Sequence, residues 1–168
     1  MDQIKEIFVR KERCMGCHGC ELACAVSHSN SKDLYQAMGE HPRPRKRIYV
    51  EAVRETQPIP ILCRHCEDAP CMHACIAGAI SRKEGNAVVT DPDKCIGCWT
   101  CVMVCPYGVI GRERDLQKAY RCDRCPDREK PACVSACPTH ALVYKSVFDF
   151  SKEKRRHAAS ELSQGEEK

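Results

Sequence analysis

The fold of this protein is decided by the stretch Cys95-Ile96-Gly97-Cys98-Trp99-Thr100-Cys101-Val102-Met103-Val104-Cys105-Pro106. Its cysteines follow the spacing C-x2-C-x2-C-x3-C-P, in which three thiolates two residues apart wrap one face of a cubane [4Fe–4S] cluster. The fourth cysteine stands on the short helix that follows, where it cannot reach the same cube and closes a neighbouring cluster instead. Proline then ends the turn. The stretch therefore predicts clusters that exchange their fourth ligands.

The sixteen cysteines of this 168-residue chain form four such quartets with none left over, except that the middle gap is four residues long in the second quartet and seven in the fourth. The first quartet is Cys14, Cys17, Cys20 and Cys24, the second is Cys63, Cys66, Cys71 and Cys75, the third is Cys95, Cys98, Cys101 and Cys105, and the fourth is Cys122, Cys125, Cys133 and Cys137. One cubane for each quartet predicts four [4Fe–4S] clusters with every cysteine as an iron ligand. The spacing alone leaves open which quartets exchange ligands.

Two other uses of cysteine compete with iron. Structural zinc sites also use C-x2-C pairs, but two such pairs are separated by a long connection, whereas here three ligands crowd together and the fourth trails by three residues. A disulfide scaffold requires an oxidising compartment. The opening residues Met1 to Glu6 are polar, and the apolar segment Ile7 to Val9 is too short for a secretion signal. We therefore expect a cytoplasmic protein whose contact with membranes is only indirect, through a partner.

The charge balance argues against nucleic acid as a partner. The formal net charge is +4 when every cysteine counts as a neutral thiol. Each oxidised cubane with four thiolates carries about two negative charges, so four clusters bring the total to about −4. The densest basic run, His41 to Arg47, is rich in proline and is predicted to be an exposed, solvated loop, with docking to an acidic partner as the alternative. Aromatic residues that could stack on bases are not interleaved with it.

Two histidines, His18 and His65, lie inside cluster loops, but the cysteine ligand sets are complete without them. We therefore expect these side chains to contact solvent or to form a hydrogen bond to a cluster sulfide. Glycines within the loops, Gly16, Gly19 and Gly97, are predicted to allow the unusual backbone angles that such loops need.

The regions around the motifs predict a mixed α+β fold. Strands are expected at residues 4–9, 48–53, 87–90 and 141–147, and short helical turns at 20–26, 71–79, 101–107 and 132–136. Residues 151–168 are charged and contain no aromatic side chain, which predicts a solvated tail or a frayed helix.

Over about residues 13–144 the four quartets resemble the four-cluster ferredoxin-like electron-transfer subunits of DMSO reductase, formate dehydrogenase and formate hydrogenlyase. The opening segment Arg13 to Val26 is most similar to the iron–sulfur protein associated with anaerobic carbon monoxide dehydrogenase. The resemblance implies tandem bacterial-ferredoxin-like modules, the second inserted within the first. Residues 1–55 and 110–150 would form the outer two-cluster module, residues 56–109 the inserted inner one, and residues 151–168 a polar tail.

The resemblance also implies how the quartets exchange ligands, the first with the fourth and the second with the third. Set A is Cys14, Cys17, Cys20 and Cys137; set B is Cys24, Cys122, Cys125 and Cys133; set C is Cys63, Cys66, Cys71 and Cys105; set D is Cys75, Cys95, Cys98 and Cys101. Many relatives carry proline after every fourth cysteine, whereas Ala25 follows Cys24 and Ile76 follows Cys75 here. Those two turns are expected to be less rigid.

A role as an electron carrier, not as an enzyme, follows from the motifs that are missing. The sequence contains neither G-x-G-x-x-G nor G-x4-G-K-[ST], so it shows no sign of a nucleotide or flavin site. With every cysteine used as a ligand, no thiol is left as a nucleophile. The resemblance implies electrons taken from carbon monoxide dehydrogenase and passed to a hydrogenase or a flavin-dependent NAD(P) reductase. The alternatives are the electron-transfer subunit of a molybdenum or formate enzyme and, more distantly, a zinc-stabilised interaction module.

Overall fold

The structure, a computed structural model, describes residues 4–53 and 57–164 as a mixture of short strands and short helices. The strands are β1 (Lys5–Val9), β2 (Ile48–Val53), β3 (Gln57–Leu62), β4 (Ile80–Arg82), β5 (Val88–Thr90), β6 (Gly111–Glu113), β7 (Lys118–Tyr120) and β8 (Leu142–Ser146). The helices are α1 (Gly19–Ser27), α2 (Leu34–Gly39), α3 (Pro70–His73), α4 (Thr100–Val104), α5 (Ala132–Ser135) and α6 (Val147–Gln164). The predicted mixed α+β composition is confirmed.

The strands form four two-stranded antiparallel sheets, β1 with β8, β2 with β3, β4 with β5, and β6 with β7. The β1–β8 pair joins the two ends of the chain, with Lys5 opposite Ser146 and Val9 opposite Leu142. Strands β1, β2, β5 and β8 lie where the sequence predicted them. Strand β3 was not predicted because it contains Pro58 and Pro60, which lack the N–H donor that a central strand needs and are tolerated in a strand with one free edge.

The helices that follow the cysteine loops pack in two pairs. Helix α1 contacts α5, so the first quartet lies beside the fourth, and α3 contacts α4, so the second quartet lies beside the third. Two buried clusters of side chains correspond to these pairs. The first contains Cys20, Cys24, Cys122, Cys133, Ile48, Leu62 and Leu142. The second contains Cys71, Cys101, Ala69, Ile80, Val88, Ile110 and Ala119. Cysteine sulfur thus occupies positions that larger apolar side chains would fill in an ordinary core.

Helix lengths follow the positions of proline. Helix α4 ends at Val104, short of the predicted Tyr107, because Pro106 disfavours helical backbone at the residue before it. Helix α1 has no such proline, since Ala25 follows Cys24, and it continues to Ser27. The turn predicted over 71–79 contains only the short helix α3, and Gly78 adopts a positive φ of 58° that interrupts any continuation.

The C-terminal segment forms a helix whose first turns are anchored to the β1–β8 sheet. The Phe150 ring stacks on Phe8 with the centroids 4.1 Å apart. Glu153 accepts a hydrogen bond from Lys145 at 2.9 Å and also pairs with Arg10. Beyond these contacts the helix is mostly exposed, in agreement with its charged sequence. Within the ranges that the structure describes, no helix is both long and apolar enough to cross a membrane.

Candidate metal centres

Three of the four cysteine sets each surround a cavity of their own. Set A lines a cavity with about 300 Å³ of space free of protein atoms, set C one with about 350 Å³, and set D one with about 330 Å³, each volume including the part open to solvent. Each cavity is lined by all four cysteines of one set and by none from another. The three thiolates of one loop therefore meet a fourth from a distant part of the sequence.

Three cysteines of set B, Cys24, Cys122 and Cys133, lie in the first core. All four are buried, and Cys133 lies within electrostatic range of Cys122, Cys24 and Cys125. Cys24 comes from helix α1, whereas Cys133 comes from helix α5, which packs against it. Set B thus also combines three residues of one quartet with the fourth residue of another.

The donor groups in these cavities fit [4Fe–4S] clusters. Each site offers four thiols, the ligand number of a cubane, and the three measured cavities have similar volumes, as three identical groups require. Burial raises the pKa of Cys20 and of Cys24 to about 11 and that of Cys122 to about 12. These thiols therefore need bound iron to lose their protons near neutral pH.

The loops of the first and third quartets share an unusual backbone. Gly16 and Gly97 both have φ of +71°, and the residues before helices α1 and α4, His18 and Trp99, are also left-handed with φ of 56° and 66°. A Cβ atom on Gly97 would lie 2.5 Å from the carbonyl oxygen of Gln117, so only glycine fits there. The expectation for Gly16 and Gly97 is confirmed. Gly19 has no positive φ, because it begins helix α1, and the expectation for it was wrong.

Backbone N–H groups donate to the sulfur atoms that end several quartets. The N–H of Ala141 lies 3.2 Å from Cys137 Sγ and that of Ala79 lies 3.3 Å from Cys75 Sγ, four residues back in both cases. Cys24 Sγ accepts from the N–H of Arg47 at 3.2 Å. Such bonds favour the thiolate and fix the direction in which each sulfur points.

A charged network surrounds set B. Asp123 pairs with Arg47 and with His28 Nε2, the latter at 3.2 Å, and its Oδ1 accepts the N–H of Cys125 at 2.9 Å. Burial raises the pKa of Asp123, but hydrogen bonding to His28 and the Arg47 charge outweigh it and hold that pKa well below its usual range. The ligand atoms of His28, Asp123 and Cys125 all lie within 4.8 Å of one another. His28 was not predicted from the sequence, because its contact with Asp123 joins residues 95 positions apart.

The two histidines of the cluster loops differ in their surroundings. His18 has an exposed ring whose Nδ1 lies 3.1 Å from Glu21, as expected for solvent contact. His65 is only 4% exposed, and its Nδ1 accepts the N–H of Val88 at 2.9 Å. Burial, followed by the charge of Arg124, lowers the pKa of His65 to about 4, so this ring is neutral.

A buried arginine joins the inner cysteine sets. Arg121 is 2% exposed and donates from Nη1 to Cys71 Sγ at 2.9 Å and from Nε to Thr90 Oγ1 at 3.1 Å. Burial raises the pKa of Cys63 and of Cys101, and the Arg121 charge opposes that rise at both thiols. The sequence signal for this residue was its position directly before Cys122, inside a cluster loop.

The basic run is a loop with exposed residues, as predicted, but three of its four cations form ion pairs. Arg45 Nε donates to Glu113 Oε2 at 2.9 Å, Lys46 Nζ lies 2.7 Å from Glu21 Oε2, and Arg47 pairs with Asp123. Only Arg43 of the four cations is exposed without an ion pair among the described residues. The run therefore joins distant parts of the chain, and these ion pairs were not predicted because the sequence alone does not show which carboxylates the run meets.

Comparison with known proteins agrees with this geometry. Residues 55–147 match the family described as a 4Fe-4S dicluster domain. The electron transport protein HydN of Escherichia coli K12 is 38% identical over 172 residues, covering 91% of this chain and 96% of HydN. An iron-sulfur protein of Rhodospirillum rubrum is 40% identical over 182 residues, covering 97% of this chain and 95% of that protein. The B subunit of the anaerobic dimethyl sulfoxide reductase of E. coli K12 is 35% identical over 155 residues, covering 87% of this chain and 75% of that subunit.

Proposed function

This protein belongs to the 4Fe-4S dicluster domain family, and we propose that it carries single electrons along a row of four clusters between an oxidoreductase and a second partner. It is a non-catalytic electron-transfer protein with four [4Fe–4S] clusters. The observation that carries the proposal is the convergence of four cysteines in each of four places, three of them around separate cavities of similar volume.

The proposed iron ligands are the sixteen cysteines in sets A to D. The contacts of α1 with α5 and of α3 with α4 support this pairing, because each contact brings the two quartets that exchange a ligand side by side. They also support the nested organisation, with residues 56–109 as an inner module between the two parts of an outer one. The β1–β8 sheet is consistent with it, since it joins the ends of the outer module.

The packing of the sets favours the order A, B, C, D along the row. Cys20 of set A lies close enough to Cys133 of set B to raise its pKa, after the larger effect of burial. Cys63 of set C lies close enough to Cys122 of set B to raise its pKa, after the larger effect of burial. Cys71 of set C and Cys101 of set D share the second core cluster. Short steps between neighbouring clusters are what electron transfer along the row requires.

The ends of this row reach the surface. Cys17 of set A and Cys98 of set D are the two exposed cysteines. Each stands beside an exposed apolar side chain at the equivalent position of its loop, Met15 at 65% exposure and Ile96 at 62%. Electrons would enter at one of these ends and leave at the other. A docking role for the basic run has less support, since three of its four cations pair within the protein.

As electron donor we propose carbon monoxide dehydrogenase, with a hydrogenase or a flavin-dependent NAD(P) reductase as acceptor. The support is the likeness of the segment Arg13 to Val26, which forms the set A loop and so one end of the row. The second candidate is a molybdenum or formate-type enzyme, favoured by the likeness to the B subunit of dimethyl sulfoxide reductase. Both candidates place this protein between two redox proteins under anaerobic conditions.

The experiment mixes the iron-loaded protein with carbon monoxide dehydrogenase under CO and follows bleaching of the clusters. Fast reduction supports the first donor, whereas oxidised clusters that a formate or molybdenum enzyme reduces quickly would shift the assignment to the second. Met15→Glu and Ile96→Glu form a matched pair that adds one charge at opposite ends of the row. One of them should slow reduction at least tenfold without loss of iron, and the other should not. Equal effects of both would contradict the proposed order of the row.

A further inference from the structure

Two buried hydrogen-bond donors at the set C cavity have no acceptor within the protein. Among the residues that the structure describes, three buried side-chain atoms lack a partner, namely His65 Nε2, Glu113 Oε1 and Arg121 Nη2. His65 and Arg121 both line the set C cavity. A buried donor without an acceptor lowers the stability of the folded protein. Two such donors beside one small cavity therefore indicate an acceptor that occupies this cavity.

The chemistry of both donors is fixed by their other contacts. Because Val88 N–H donates to His65 Nδ1, the proton of the neutral ring must lie on Nε2, which is therefore a donor. Arg121 is held by Thr90 and Cys71, and a guanidinium has donors but no acceptor. Neither side chain can pair its free donor by rotating, because these other contacts hold it in place. A cluster sulfide, which accepts hydrogen bonds, would satisfy both.

We propose that Arg121 and His65 raise the reduction potential of the set C cluster above that of its neighbours, so that an electron on the row comes to rest there. This inference rests on the proposed assignment of set C as cluster ligands. Each cluster takes up one electron, and its negative charge increases by one. A buried cation and two hydrogen bonds to its sulfurs favour that added charge, which raises the potential.

The charge of Arg121 also acts on Cys101 of set D, but its hydrogen bond to sulfur is made to set C. In the described part of the chain, Arg121 is the one lysine or arginine whose side chain donates to a cysteine sulfur. The sulfur of Cys24 in set B accepts a backbone N–H, from Arg47, whose guanidinium is paired with Asp123 and so largely neutralised. The sulfur of Cys137 in set A accepts from the backbone N–H of Ala141. The asymmetry between set C and its neighbours thus comes from the hydrogen bond of Arg121 to Cys71 and from the imidazole of His65.

The consequence is that the highest reduction potential of the row lies at an inner cluster. An electron entering from either exposed end would meet its lowest energy at an inner cluster, where the ligand Cys71 is buried and Arg121 is 2% exposed. The protein would then hold one electron between encounters with its partners. A second electron would pass through the remaining clusters at lower potential.

The test is an anaerobic redox titration of the iron-loaded protein followed by electron paramagnetic resonance. The Cys66→Ser variant identifies the set C signal, because changing one ligand alters the spectrum of that cluster. Arg121→Gln removes the charge, Arg121→Lys keeps it, and Arg43→Gln removes one exposed charge as the matched control. We expect Arg121→Gln to lower the electron affinity of the set C cluster at least tenfold, about 59 mV for one electron. Arg121→Lys should recover part of the loss, and Arg43→Gln should shift no cluster.

Separate outcomes distinguish the possible failures. If Cys66→Ser alters none of the four signals, the proposed ligand set is wrong, and the proposed function loses its support. If Cys66→Ser identifies the cluster but Arg121→Gln leaves its potential unchanged, or lowers all four potentials equally, this inference is overturned. Should Arg121→Gln fail to load iron, His65→Leu tests the second donor by itself, with a smaller downward shift of the same signal expected and no shift contradicting the inference.

Discussion

Arg45 donates from Nε to Glu113 Oε2 at 2.9 Å and so joins the basic run to strand β6 across 68 residues of sequence. The Glu113 side chain is only 8% exposed, and its other oxygen has no partner among the described residues. Arg45→Gln should therefore leave a buried carboxylate without its counter-charge and lower the free energy of unfolding by about 1–3 kcal/mol. Thermal loss of the visible cluster absorbance measures this.

Arg43→Gln is the matched control, because Arg43 is exposed and has no ion pair in the described part of the protein. Its effect should stay within about 0.5 kcal/mol. Adding Glu113→Gln to Arg45→Gln should recover part of the lost stability, since the uncompensated charge is then gone. Equal destabilisation by the two single arginine variants would show that the ion pair contributes nothing of its own.

The exchange of fourth ligands between quartets is tested by two cysteines of helix α5 and its following turn. Cys137→Ser should damage the set A cluster, although Cys137 is the last residue of the fourth quartet. Cys133→Ser, four residues earlier, should damage the set B cluster instead. Electron paramagnetic resonance of both reduced variants distinguishes the affected clusters. Loss of the same cluster in both variants would contradict the pairing.

Much of this site could be predicted from the sequence because the cysteine spacing is set by the shape of the cubane. Strands β1, β2, β5 and β8 were also predicted, from their apolar and β-branched residues. The charged surroundings could not be. Whether Arg121 points to solvent or to Cys71 depends on a contact between residues 50 positions apart. The pairing of Arg45, Lys46 and Arg47 with carboxylates has the same long-range origin.

Short elements escaped prediction for a different reason. Strands β4, β6 and β7 have three residues each, too few to show an alternating pattern. Each of them is one strand of a two-stranded antiparallel sheet. The start of helix α6 was missed as well, since the contact of Phe150 with Phe8 joins residues at opposite ends of the sequence.

Iron should be a condition for the fold. Both buried cores contain cysteine side chains from distant loops, so without iron each core loses the bonds that join its parts. We expect about sixteen irons and sixteen sulfides for each protein molecule, from four cubanes. Chelation of iron should abolish most of the helical circular dichroism, and reconstitution should restore it. A protein that holds about eight irons at full reconstitution would contradict the four-cluster assignment.

Gly97→Ala should disrupt the set D loop more than a strained backbone alone would explain. Gly97 and Gly85 have nearly the same φ, +71° and +73°, but a Cβ on Gly97 would lie 2.5 Å from Gln117 O, whereas one on Gly85 meets nothing within 4 Å. Gly85→Ala therefore measures the backbone cost, about 1–2 kcal/mol. Gly97→Ala should exceed it and should also lower the iron content. Equal stability of the two variants would show that the loop moves aside to accept the new atom.

The attachment of helix α6 should weaken in acid. Hydrogen bonds from Lys145 and Arg10 lower the pKa of Glu153, the first being the larger effect. Because the folded pKa lies below the unfolded one, this group stabilises the attached helix above its ordinary pKa of about 4.3 and loses that contribution as the pH falls through the lowered value. The side chain is 45% exposed, so the effect should be modest, about 0.2–1 kcal/mol. Hydrogen exchange of the α6 amides at pH 7 and at pH 4 measures it, with opening becoming more frequent at the lower pH.

Glu153→Gln provides the comparison that assigns this effect. At pH 7 the variant should already show the faster amide exchange that the natural protein shows in acid. After correction for the intrinsic pH dependence of amide exchange, its exchange rate should also change less between the two pH values. Glu161→Gln is the matched control, because Glu161 lies on the same helix and its one ion pair among the described residues is with His157, one turn away at 3.3 Å. It should leave the attachment of the first turns unchanged, since that ion pair lies within the helix itself. If the natural protein and Glu153→Gln kept the same pH dependence, Glu153 would not be the group that loosens the helix in acid.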